Sequence, residues 1–189
     1  MKQYFIIISS LLALISPLVY SQAILKAKAK PHRTTRLVLL LITSLTTASL
    51  LAQKDQVAVY LAAVSAFQSI IIFILSLKWG MGGWAKTDII CLIIAILGIL
   101  LWKTTNNPTF ALYSAIAADF TGMAPAIIKT YKFPETEVWT FFFLDTIAAG
   151  FSILALKSFS LQESSYPIYI MLINFTMVLL IIRPKKLKI

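Results

Sequence analysis

Seven apolar runs follow one another along this chain, separated only by short polar breaks. They lie at 3–24, 37–53, 56–77, 88–102, 109–129, 137–156 and 166–182. A helix needs about 20 apolar residues to cross a hydrocarbon core of roughly 30 Å. Seven such runs therefore use up most of the 189 residues and leave only loops between them. Charged residues make up 13% of the chain, against about 25% in soluble domains. Too little polar surface remains to face water on all sides, which argues against a soluble globular enzyme. The high apolar content equally argues against a disordered chain. The expectation is an all-α polytopic protein of seven transmembrane helices. It would be multi-pass in the cell membrane, and in the cytoplasmic (inner) membrane if the chain is bacterial.

The charge pattern orients these helices. Seven crossings put the two termini on opposite sides. Of the 17 basic residues, Lys2, Lys54, Lys103 and Lys157 fall on one side and the other thirteen on the opposite side. Basic loops stay in the cytoplasm, so the expected orientation is N-out, C-in. The net charge of +10 is thus read as a topology signal and as attraction to anionic lipid headgroups, not as a nucleic-acid surface. The loop carrying Lys26, Lys28, Lys30, Arg33 and Arg36 holds the densest positive charge. The N-terminal stretch has the look of a cleavable leader ending near Ser21-Gln22-Ala23. Cleavage there would leave that basic loop outside, so retention is expected. Cys91 is the single cysteine and His32 the single histidine. No internal disulfide, multi-histidine metal site or cofactor is expected.

The halves of the chain are similar to each other. Residues 23–31 read Ala-Ile-Leu-Lys-Ala-Lys-Ala-Lys-Pro, and residues 126–134 read Ala-Ile-Ile-Lys-Thr-Tyr-Lys-Phe-Pro. At a constant offset, the first three spans lie on the last three and span 4 has no partner. A triple-helix unit ends on the face opposite to its start, so one extra crossing restores the orientation of the second copy. The expected plan is 3+1+3: a first unit over 1–86, a linker helix over 87–103 and a second unit over 104–189. Parallel repeats of this kind hold their substrate between the units near mid-membrane.

This plan, with its paired loops after spans 1 and 5, resembles the PQ-loop superfamily that includes the SWEET sugar transporters. The stretch Pro125-Ala126-Ile127-Ile128-Lys129-Thr130-Tyr131-Lys132 is similar to the family's proline and basic-aromatic loop. The segment Lys28-Ala29-Lys30-Pro31-His32-Arg33 resembles an uncharacterised bacterial branch near that superfamily. The proline-glutamine dipeptide is intact in neither repeat, and spans 2 and 6 lack the helix proline of the SWEET pattern. The resemblance implies transport of a small solute, an asparagine facing it from the third helix of each unit, and proton coupling as in some relatives.

Polar residues at membrane depth are the candidate site. Asp119 and Asp145 are the acidic residues well inside the proposed spans. Each lies about 12–15 Å of helix rise from the basic side. An intramembrane carboxylate is costly and usually faces a cavity or a partner. The alternative is a helix–helix hydrogen bond for packing alone, in which Asp119 would bond the Thr146 hydroxyl and Asp145 that of Thr121. Asn174 in span 7 and Gln68 in span 3 complete the expected substrate lining, since an amide both donates and accepts. Pro17 and Pro125 are expected helix kinks or hinges. Gly122 and Gly150 are expected points of close helix approach. A homo-oligomer is compatible with the sequence, although no small-residue stripe defines a dimer face.

The functional expectation is a transporter or facilitator of a small polar solute (sugar, amino acid or similar), with Asp119 as a proton-coupling group. The alternative is a non-transporting membrane scaffold or assembly subunit. An enzyme is not expected. The Gly-x-Gly-Asp motif of intramembrane aspartyl proteases is missing, and Gly80-Met81-Gly82-Gly83 lacks the Lys-Ser/Thr of a phosphate loop.

Overall fold

The computed structural model describes residues 2–52, 58–83, 85–104, 108–156, 159 and 161–184. Trp84 and the interhelical Lys54 and Lys157 lie outside them. Among the described residues the chain is all-helical. Seven α-helices run α1 (Lys2–Leu25), α2 (Arg33–Ala52), α3 (Ala58–Trp79), α4 (Lys86–Thr104), α5 (Pro108–Lys132), α6 (Trp139–Ala155) and α7 (Leu161–Ile182), with one 3₁₀ turn at Pro134–Thr136. Each apolar run of the sequence has become one helix. Two of the helical stretches, Lys2–Leu25 and Ser164–Ile182, are long and apolar enough to cross a membrane.

One boundary differs in a way that matters. The apolar criterion starts the second helix at residue 37, whereas α2 begins at Arg33. Its first turn is polar but packed: Thr34, Thr35 and Arg36 are all buried. Charge ended the apolar run without ending the helix. Pro17 and Pro125 lie within α1 and α5, and both helices continue through them.

The helices pair in a repeated pattern. α3 packs on α1 and α2, and α7 packs on α5 and α6. Between these groups, α1 lies against α6 and α2 against α5. Adding four to each helix number turns the first set of pairs into the second, and turns α1/α6 into α5/α2 once the numbering wraps round. α4 stands outside this scheme, packed on α5 and touching α2.

The exterior is apolar. Ile89, Ile90, Ile93, Leu97, Leu100 and Leu101 on α4 are exposed, as are Ile7, Leu11, Ile15 and Leu18 on α1. A soluble monomer rarely exposes a continuous apolar surface of this kind. The buried core gathers at the end of the bundle that carries the basic loops. There Tyr20, Ile24, Phe142 and Met177 are almost fully enclosed, and Tyr20 stacks on Phe141 at 4.3 Å between ring centroids.

Polar pairs tie α1 to α6 along their length. Ser9 Oγ and Ser152 Oγ are 2.7 Å apart. Ser16 donates to Asp145, and Tyr20 donates to Glu137, just before α6, at 2.7 Å. The partners rise along α1 as they fall along α6, as an antiparallel pair requires.

Gly122 is where α5 and α2 approach most closely. A Cβ there would stand 2.4 Å from Val38 Cγ1. A β-branched valine in a helix has little rotamer freedom to retreat. Gly150, by contrast, has nothing within 4 Å of its Cβ position, so the expected close approach at that residue is not found. We expect Gly122→Val to destabilise the fold by about 1–3 kcal/mol through overpacking. Gly150→Ala should leave stability unchanged or slightly raised, through helix propensity. Thermal unfolding of the detergent-solubilised chain checks both.

Candidate functional site

A cavity of about 210 Å³ opens between α2, α5, α6 and α7, directly beyond the packed core. Three of the four residues expected to line a site come together in it: Asp119, Asp145 and Asn174. Arg36, Thr43 and Tyr166 add polar groups, and Phe141, Phe142 and Met123 form apolar wall. A second hollow of about 170 Å³ shares Asp145, Tyr166 and Ile170 with the first and extends past Ser9, Ser152 and Pro167. Asp145 therefore stands where the two join. The second hollow leads away from the basic loops.

Gln68 is not part of this lining. It sits half-buried on α3, which packs on α1 and α2 and makes no contact with α5, α6 or α7 among the described residues. The cavity draws on α2 instead, because α2 is the helix of its group that faces α5.

Each aspartate has a hydroxyl partner, though not the expected one. Asp119 accepts from Tyr169 Oη at 2.5 Å. Asp145 accepts from Ser16. Thr146 bonds back to the Phe142 carbonyl, and Thr121 to those of Ala117 and Ala118. A threonine inside a helix reaches its own previous turn without crossing to a neighbour. Asn174 donates to the Ile170 carbonyl at 2.9 Å.

The basic loop divides into separate roles. Lys26, Lys28 and Lys30 are exposed. Arg33 reaches back over the end of α3, donating to the carbonyls of Ser76 at 3.2 Å and Gly82 at 3.1 Å. A guanidinium there adds donors to the carbonyls at the helix end, Leu77 among them. Arg36 is a correction to the loop assignment. It is 8% exposed, and it lies in α2 with its guanidinium over the Tyr20 ring at 4.5 Å and the Phe141 ring at 5.5 Å.

Below the cavity, the basic end is closed by a buried ion pair. Lys129 contacts Glu137, with side-chain exposures of 4% and 2%. Lys129 also donates to the Lys30 carbonyl at 2.7 Å, and Lys30 N donates to the Thr136 carbonyl at 2.7 Å. The loops after α1 and α5 are thereby joined across the bundle. His32 sits beside them at 5% exposure, its Nε2 3.5 Å from Asp88 Oδ1. Asp88 meanwhile accepts from the Gly83 and Ala85 backbone N–H groups at 2.9 and 3.2 Å. Gly82 has φ +71° and lies so close to the imidazole that a Cβ would fall 2.3 Å from its Nε2. The loop after α3 thus fits His32 only with glycine there. On the surface, Lys30, Lys78, Trp79 and Phe133 line a hollow of about 550 Å³, a mixture of charge and aromatic rings suited to lipid headgroups.

Sequence reasoning placed Arg36 in the basic loop and missed Tyr166 and Tyr169. The two tyrosines were legible in principle. Tyr166, Ile170, Ile173 and Asn174 repeat at helical spacing on one face, so the stripe through Asn174 pointed to the rest of the lining. Compared with protein-family models, with curated proteins and with solved structures, the chain matches none.

Two outcomes follow from the closed end. Glu137→Gln leaves Lys129 buried without its counter-charge, and we expect a loss of about 3–5 kcal/mol, read as a lowered unfolding midpoint. Burial, with Lys129, Arg33 and Arg36 nearby, holds the His32 imidazole below its usual pKa, and Asp88 only partly opposes this. The unfolded chain therefore binds a proton more readily than the folded one. That contribution lowers stability as pH falls through about 6.5. His32→Gln should flatten this part of the stability–pH profile.

Proposed function

We propose that this chain is a multi-pass membrane transporter or facilitator of a small polar solute. In this reading all seven helices span the membrane in the 3+1+3 plan, N-out and C-in, akin to the PQ-loop proteins. α1–α3 and α5–α7 are the two units, and α4 is the linker. The repeated helix pairings support the two-unit plan. The apolar exterior supports a lipid surround, and an inner-membrane location follows if the source is bacterial.

The observation that carries the reading is a cavity between helices of both units into which Asp119, Asp145, Asn174 and Arg36 converge. A carboxylate at mid-membrane costs about 2.5–3.5 kcal/mol on the insertion scale. A hydrogen bond to a charged group returns about 1.5–3 kcal/mol. One hydroxyl occupies only one of about four acceptor sites on a carboxylate. Dry packing leaves the rest unsatisfied, whereas a water-filled site does not. Two aspartates facing one cavity are therefore better accounted for by a polar solute than by a scaffold contact. The closed basic end and the hollow leading the other way fit a carrier open to the outside.

Reconstitution into liposomes tests this. We expect carrier-mediated uptake of a solute from a panel of sugars, amino acids, nucleosides and organic acids. Asn174→Ala should reduce it about three- to tenfold, the worth of one hydrogen bond. Asp119→Asn should remove the response to an imposed pH gradient while exchange continues. No uptake of any solute, with both aspartate variants merely less stable, would favour the scaffold.

A further inference from the structure

The cavity holds a buried cation that forms no ion pair among the described residues. Arg36 is 8% exposed, and its Nε has no hydrogen-bond partner. Its guanidinium lies over the Tyr20 and Phe141 rings. Among the described residues no carboxylate lies within ion-pair distance of it. Glu137, the nearest candidate in the closed end, is already taken by Lys129 and Tyr20. Asp119 and Asp145 line the same cavity as Arg36 without forming an ion pair with it. A buried charge that lacks its counter-charge is strongly destabilising, and a guanidinium presents a planar fork that matches a carboxylate. The cavity that these charged groups line together is part polar, part apolar and about 210 Å³. Drug-sized ligand pockets are roughly 300–1,000 Å³, so the occupant is smaller.

We infer that the solute of the proposed carrier is a small zwitterionic amino acid. Its carboxylate is held by Arg36, and its ammonium is directed to Asp119 and Asp145. The inference rests on the transporter reading and narrows it. The charges of such a solute complement both the cation and the carboxylates that line the cavity, which a sugar does not. The apolar wall of Phe141, Phe142 and Met123 leaves room for a short uncharged side chain.

The test is thermal unfolding of the purified full-length chain in detergent with the neutral L-amino acids, L-alaninamide, L-lactate and glucose, alongside liposome uptake of the same compounds. One or more neutral amino acids should raise the unfolding temperature. L-Alaninamide lacks the carboxylate and L-lactate lacks the ammonium, so neither should do so. Arg36→Gln should abolish the response. Arg36→Lys, which keeps the charge but loses the fork, should weaken apparent affinity about tenfold or more. The wild-type comparison of alanine with its amide needs no variant to fold. Equal shifts with alanine and alaninamide, or with alanine and lactate, would overturn the inference. So would a glucose response undiminished in Arg36→Gln, and each of these would leave the transporter reading intact. No shift and no uptake with any compound would overturn both.

Discussion

The α1/α6 seam is the constraint on which the arrangement depends. In lipid, apolar side chains gain little by leaving one apolar environment for another, so helices associate through polar pairs and close backbone approach. α1 exposes most of its apolar residues outward. What holds it is a line of hydroxyls, Ser9, Ser16 and Tyr20, each opposite a polar group near or on α6. This seam joins the first three helices to the last three. Its counterpart, α2 against α5, uses the other device: Gly122 lets Val38 approach closely. One contact is polar and one steric, and both lie at the boundary where the cavity forms.

The ends of the bundle are not equivalent. At the basic end, aromatic stacking, the Lys129–Glu137 pair and the joined loops draw the helices and loops together. Further along, the packing gives way to a cavity lined by Asp119, Asp145 and Asn174. Glu137 is central to this contrast. It satisfies Lys129 and Tyr20 together, which ties the seam to the closed end and leaves Arg36 to face the cavity. One carboxylate thus determines both what is sealed and which charge remains available.

The helices were legible because apolar length and charged breaks are local properties. The site was legible only where depth alone identifies a residue. Asp119, Asp145 and Asn174 stand out in any apolar helix, and they share a cavity. Gln68 stands out equally and does not, because which helix of a group faces inward is a tertiary property. Arg36 failed in the opposite direction. In sequence it is the last of five basic loop residues, and nothing local separates it from Arg33. The structure gives Arg33 to the carbonyls ending α3 and gives Arg36 to the interior. The threonine partners assigned to the aspartates failed for a similar reason. Depth matched, but each threonine bonds within its own helix.

The placement of charge has a mechanical consequence. The cavity's cation comes from α2, in the first group of helices, and its carboxylates come from α5 and α6, in the second. Arg36 and the aspartates are therefore not fixed by one rigid element. A solute that engages both contacts both groups and gains more in the arrangement where their spacing matches its own. A ligand shifts a conformational equilibrium only by its differential affinity for the two states. A solute bound within one group would supply none for a movement between groups. In the proposed carrier, dividing the charges across the boundary would make the separation of the groups the quantity that binding reads, and would link occupancy to their relative position.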